Sequence, residues 1–173
     1  MSTQLLLTSF QIWLPHQKSN SSDDLLEIIQ KQQLYLDSLF FLRKLPVNKV
    51  LAAQKAIETI EKIKPQGVIC CGMAESRDVL TVESNAVCKE KCIFTNVNLD
   101  ALVTCLTNTK ISNNAGRFVC EELYYQVLHY IQIFELNINC IFVHIPILTP
   151  NNIDNIQQDF INIIKFMKCN AIS

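Results

Sequence analysis

An α/β fold, a three-layer α/β/α sandwich around a mostly parallel central sheet, is the class that the sequence predicts, and three observations predict it. Consecutive apolar runs such as Leu5 to Leu7, Val68 to Cys71 and Cys140 to Val143 lack the alternation of a half-solvated strand, so each reads as a strand buried on both faces. Segments with apolar residues at three- and four-residue spacing stand between these runs, which is the pattern of helices packed on a sheet. Turn-forming residues punctuate the alternation, and strands alternating with helices of about four turns specify a doubly wound sheet.

Taken in order, Leu5 to Phe10 reads as a central first strand, followed by an aperiodic loop from Gln11 to Asn20 that contains Trp13, Pro15 and His16. Ser21, Ser22 and Asp23 offer N-caps to a helix carrying Leu25, Leu26, Ile28 and Ile29. Leu39 to Leu42 is a second strand. Asn48 can cap a helix whose apolar positions are Val50, Ala53, Ile57, Ile60 and Ile63, and Pro65 closes it. Gly67 to Gly72 is a third buried strand, with Gly72 permitting a sharp exit. Leu80 to Val82 is a short extended piece leading to Glu83, and Cys88 to Asn96 has no clear period. A short helix over Leu99 to Leu106, a strand over Lys110 to Ser112, a long helix over Arg117 to Phe134, a strand over Asn139 to Ile145 and an amphipathic helix over Ile153 to Met167 complete the chain.

The 173 residues fit one domain, 1–173, with room for a sizeable core. A net charge of −1 with 18% charged residues leaves no electrostatic footprint for nucleic acid. No apolar run approaches the ~20 residues of a membrane helix, and no basic segment leads into a long apolar stretch and cleavage site. The eight cysteines are therefore expected to be thiols in a reducing cytoplasm. Cys70-Cys71 and the four-residue step from Cys88 to Cys92 lack zinc-ligand spacing, so no metal is expected.

Ligand crevices of such sheets lie at the carboxyl ends of the strands. Phe10 and Trp13 follow the first strand, Met73 to Arg77 the third, and Cys120 the strand at 110–112, while His144 ends the last. Cys120 is delivered by the polar turn Ser112-Asn113-Asn114-Ala115-Gly116 into a helix start, where free N–H groups and the helix dipole favour a thiolate. On local sequence alone it also reads as a packed, inert thiol. A cysteine nucleophile needs a base, for which His144 is the candidate, and a group to orient that base, for which Glu83 is the candidate.

These segments resemble the pyroglutamyl peptidase I family, the pyrrolidone-carboxylate peptidases of cysteine peptidase family C15. The resemblance is carried by Leu7-Thr8-Ser9-Phe10, by Cys71-Gly72-Met73-Ala74-Glu75-Ser76-Arg77 leading into Thr81-Val82-Glu83-Ser84-Asn85-Ala86-Val87, by Ser112 to Cys120, and by Phe142-Val143-His144-Ile145-Pro146. The S-N-x-A-G-x-F-x-C signature followed by F-x-H-x-P is specific. The resemblance implies a phosphorylase/hydrolase-like fold and removal of N-terminal 5-oxoproline from blocked peptides through a thioester acyl-enzyme, without cofactor. It assigns Cys120 as nucleophile, His144 as general base and acid, Glu83 as orienter, and Arg77 as support for the oxyanion or the site. It also implies a homo-oligomer, a dimer or tetramer.

The loop after the first strand departs from the family's G-F-x-P-F-G-G: Ser9-Phe10-Gln11-Ile12-Trp13-Leu14-Pro15 keeps two aromatics and loses every glycine. Phe10 and Trp13 are expected to sandwich the flat lactam, with Met73 beside them. Ser84 replaces an arginine, Cys88 an asparagine, and the connection after Val87 is shorter than the family's. Those changes leave two further readings open: a diverged member acting on another small acyl or amide group, and a catalytically silent ligand-binding scaffold.

Overall fold

Residues 3–33 and 37–171 are described in a computed structural model of the chain. In chain order the elements are β1 (Leu5–Phe10), α1 (Ser21–Lys31), β2 (Leu39–Leu45), α2 (Lys49–Ile63), β3 (Gly67–Met73), β4 (Thr81–Glu83), β5 (Asn85–Cys88), β6 (Lys91–Phe94), α3 (Leu99–Val103), β7 (Lys110–Ser112), α4 (Val119–Ile133), β8 (Asn139–Ile145) and α5 (Ile153–Cys169). Six strands form one sheet in the order β2-β1-β3-β8-β4-β7, and β5 pairs with β6 in a separate hairpin.

Strand pleat divides the core in two. Leu5, Leu7, Ile69, Cys71, Ile141, Val143 and Val82 face α1, α3 and α5. Leu6, Phe10, Val68, Cys70, Cys140 and Phe142 face α2 and α4. Because Val82 lies on the first face, Thr81 and Glu83 lie on the second, opposite His144 and Phe142. β1, β3 and β8 are buried along almost their whole length, as their continuous apolar runs predict.

Three elements differ from expectation. β4 runs antiparallel to β8 and parallel to β7, so β7 and the turn after it leave the sheet in the direction opposite to the four parallel strands. The crevice rule for parallel strands therefore accounts for Met73 and His144 but not for the approach of Cys120. The stretch Cys88 to Asn96 contributes a hairpin closed by Lys89-Glu90, with Lys89 at φ 54°. Gly72 lies inside β3 rather than at an exit.

Asn20, Asn48 and Asn98 cap α1, α2 and α3 through their side chains, the first one residue ahead of the expected Ser21. Beyond the end of β4, the exposed flank of β8 is completed by side chains: Asn96 accepts from Cys140 N–H at 3.1 Å and donates to the Ile138 carbonyl at 2.9 Å, and Thr95 donates to the Cys140 carbonyl at 2.6 Å. No described helix is long and apolar enough to cross a membrane.

The edge at β7 is anchored by a buried carboxylate. Asp159 of α5 accepts from Thr107 N–H at 2.8 Å, Asn108 N–H at 3.0 Å and the Thr109 hydroxyl at 2.8 Å. Asp159→Ala strips all three donors and should lower unfolding free energy by about 2–4 kcal/mol, as urea denaturation would measure.

Candidate active site

The site starts with one buried carboxylate. Glu83 has no exposed surface, because it sits on the sheet face covered by α4, and the Tyr124 hydroxyl donates to its backbone carbonyl at 3.0 Å. Its Oε1 lies 2.7 Å from His144 Nδ1 and 2.5 Å from Arg77 Nη1. Burial raises the carboxyl pKa, but hydrogen bonds from His144 and Ser112, the His144 charge and Arg77 outweigh it and hold the group at about 2. Glu83 is thus ionised at neutral pH.

An ionised Glu83 accepts at Nδ1, so Nδ1 carries the imidazole proton and Nε2 presents a lone pair. Burial pushes the His144 pKa below 6.5 despite Glu83, which leaves the ring neutral near pH 7. His144 packs against the Phe142 ring at 4.8 Å between centroids.

The turn before α4 follows from its sequence. Ser112 Oγ accepts from Asn114 N–H at 3.2 Å, Asn114 Oδ1 accepts from Gly116 N–H at 3.0 Å, and Gly116 takes φ 90°, a left-handed conformation suited to glycine. α4 then begins at Val119 behind Phe118, which has no capping side chain. The N–H groups of the first helical turn, at Val119, Cys120 and Glu121, are left uncapped there.

The Cys120 sulfur is seated on Gly72. A Cβ at residue 72 would lie 2.6 Å from Sγ and 2.9 Å from Phe142 Cζ, so only glycine admits the sulfur here. β3 pairs Gly72 with His144, and Phe142 touches both neighbourhoods. No hydrogen bond joins Cys120 to His144 among the described residues. Burial, with Cys70 and Glu83 adding to it, pushes the Cys120 thiol up to about 12 against the opposing Arg77 charge. The direction is opposite to the lowering expected at a helix start.

Arg77 is engaged in support. It donates to Thr81 Oγ1 and Glu83, to Ser112 Oγ at 3.3 Å and to the Asn114 carbonyl at 2.7 Å, tying β4 to the turn that carries Cys120. Those partners engage both terminal nitrogens of the guanidinium, while the N–H groups of the first turn of α4 have no side-chain cap.

The two aromatics expected to face each other are apart. Phe10 is 2% exposed and packs among Leu6, Leu45 and Ala52 in the core, because it closes β1 on the inward side. Trp13 instead stacks on Phe118, with centroids 4.9 Å apart and planes inclined by 32°. Both rings are about half exposed. Phe118 stands two residues before Cys120 in the signature, but the helical reading from Arg117 hid its contact with Trp13. Met73 lines a separate cavity of about 320 Å³ with His16, Ser21 and Glu75 and receives Ser21 N–H at 3.3 Å. The glycine-free loop is clipped by Gln17, which accepts from Trp13 and Leu14 N–H groups and donates to Glu75 at 2.6 Å. His16 joins the same carboxylate at 3.0 Å. Among the described residues no cluster of His, Cys, Asp and Glu could hold a metal ion.

A family model described as pyroglutamyl peptidase matches residues 90–168. A pyrrolidone-carboxylate peptidase of Oceanobacillus iheyensis is 30% identical over 143 residues, covering 66% of this chain and 72% of that protein. One from Aliivibrio fischeri is 24% identical and covers 89% and 83%. Among solved structures, a mutant pyrrolidone carboxyl peptidase from Pyrococcus furiosus aligns with TM-score 0.84 at 18% identity over 98% of this chain and 100% of its own. The pyroglutamyl peptidase I of Bacillus amyloliquefaciens aligns at 0.80 and 20% identity, over 99% and 95%.

The ionisation of Glu83 is testable through stability alone. Its pKa is lower folded than unfolded, so its contribution is complete above pH 4.5 and is lost as pH falls toward 2. The stability advantage of wild type over Glu83→Gln, on the order of 3 kcal/mol at neutral pH, should shrink across that window in urea titrations at stepped pH.

Proposed function

The chain belongs to the pyroglutamyl peptidase family of cysteine-type peptidases, and we propose that it hydrolyses the bond after an N-terminal pyroglutamyl residue, with Cys120 as nucleophile, His144 as general base and acid, and Glu83 orienting His144. The observation that carries this reading is the buried Glu83–His144 pair at 2.7 Å, set beside a helix-initial cysteine whose sulfur rests on a glycine in the adjoining strand. A buried carboxylate of this kind fixes the imidazole tautomer and stabilises the imidazolium that forms during reaction.

The resting pair is thiol and imidazole. As the sulfur attacks the pyroglutamyl carbonyl carbon, its proton passes to His144 Nε2 and a C–S bond forms. The hydrogen bond from sulfur to Nε2 belongs to the substrate complex, where catalytic contacts tighten. Negative charge on the carbonyl oxygen is met by the uncapped N–H groups at the start of α4. His144 then protonates the departing amine as the C–N bond breaks, leaving a thioester. Water, deprotonated by His144, attacks that thioester; 5-oxoproline leaves and the proton returns to sulfur. Trp13 and Phe118 supply apolar ring faces for the lactam, in place of the expected Phe10. Arg77 holds Glu83 and the 112–118 turn in register.

Purified protein should release arylamine from a pyroglutamyl-arylamide and not from a panel of aminoacyl-arylamides; the reverse selectivity would remove the assignment. Cys120→Ala should abolish turnover with an unchanged circular dichroism spectrum. Glu83→Gln should lower kcat by about 10²- to 10⁴-fold. The acid limb of kcat/KM, set by His144, should lie below pH 6.5. It should move lower still in Glu83→Gln, because Glu83 raises the His144 pKa. Gly72→Ala should lower kcat by about 10²-fold by unseating the sulfur, with KM changed less.

A further inference from the structure

A second cavity, of about 570 Å³, borders the turn that delivers Cys120. Its walls carry Lys89 from the β5–β6 turn, Asn113, Asn114 and Arg117 from the turn before α4, and Glu121 from α4. Lys89 and Arg117 form no ion pair among the described residues. Glu121 is held inward, its Oε1 accepting from Val87 N–H at 3.1 Å, and burial raises its pKa. Lys49, at the start of α2, donates to the Arg117 carbonyl at 3.5 Å and adds a third cation to the neighbourhood. Gly116 faces open space, since a Cβ there would meet nothing within 4 Å. The cavity thus offers room, amide donors and an excess of positive charge beside the turn that carries Cys120.

Its position relative to the reacting groups assigns it a side. Trp13, after β1, stacks on Phe118 at one flank of the α4 start, whereas Glu121 contacts Val87 of β5 at the other. The sheet order β1-β3-β8-β4-β7 places His144 between these flanks, beyond Gly72 as seen from β1. If the acyl ring lies on Trp13 and Phe118, the departing amine, which His144 must protonate, leaves toward β4 and β7, where the cavity is.

Resting on the pyroglutamyl peptidase reading, we propose that this cavity is a subsite for the leaving peptide and that Lys89 and Arg117 bind a carboxylate of it. The enzyme accordingly prefers short pyroglutamyl peptides that end in a free carboxylate over their C-terminal amides. The cations are exposed, so the preference is moderate and screened by salt.

The test uses matched pyroglutamyl di-, tri- and tetrapeptides as free acids and as amides, followed by 5-oxoproline release at low ionic strength. The acid-to-amide ratio of kcat/KM should reach about fivefold to tenfold at one of these lengths. It should fall toward one in the double variant Lys89→Gln/Arg117→Gln and in about 1 M salt. A ratio of one at every length, or a ratio that the double variant leaves unchanged, overturns the subsite. A pyroglutamyl-arylamide separates the two levels: cleavage of the arylamide with no acid preference removes the subsite alone, whereas no release from any of the substrates removes the peptidase reading and the subsite with it.

Discussion

A carboxylate with no exposed surface is the constraint from which the rest of this structure can be read. Ionised Glu83 is stable on the covered face of the sheet only if opposite charge and donors surround it. His144 and Arg77 provide them at Oε1, while the buried Oε2 has no hydrogen-bond partner, and each brings a different part of the chain along: His144 the end of β8, and Arg77 the turn that leads to Cys120. The antiparallel setting of β4 makes this possible, because it places Thr81 opposite His144 and Glu83 opposite Phe142 on one pleat face. A parallel β4 would run the other way along β8 and carry Glu83 beyond the histidine. Electrostatic satisfaction and chain topology are here one requirement.

The arrangement also sets the protonation chemistry. The carboxylate is low and the thiol is high, with a neutral imidazole between them. An ion pair standing ready on sulfur would set a thiolate close to Glu83, and Glu83 opposes it. In the proposed mechanism the proton leaves sulfur only when substrate arrives, and the positive charge that then forms on His144 is the one Glu83 would stabilise.

Legibility followed the length of each signal. β1, β3 and β8 could be read because a six- or seven-residue apolar run has few alternatives, α1 and α2 because their caps and periods coincide, and α4 and α5 from their periods alone. β4 and β7 have three residues each, too few for a pattern to reveal direction, so the reversal of that part of the sheet was hidden. The β5–β6 hairpin closes through Lys89-Glu90 without a glycine or asparagine, which removes the usual mark of a tight turn. Glu83, His144 and Cys120 were visible as polar residues at apolar segment ends. Phe10 was misplaced because a strand-terminal aromatic gives no sign of which face it takes, and pleat parity sent it to the core. The surroundings of the thiol were not legible, because the residues that raise its pKa, Cys70 and Glu83, come from strands far from it in sequence.

Gly72 has a consequence for how this chain can drift. A glycine inside a central strand is the residue that strand formation least favours, and its neighbours Cys70 and Cys71 show that side chains are accommodated nearby. At residue 72 itself the space is taken, by the Cys120 sulfur on one side and the Phe142 ring on the other. A chain that drifts at this position has to move the sulfur or the Phe142 ring first, so a side chain at residue 72 disturbs the seat of Cys120 before it disturbs the pairing of β3 with β8.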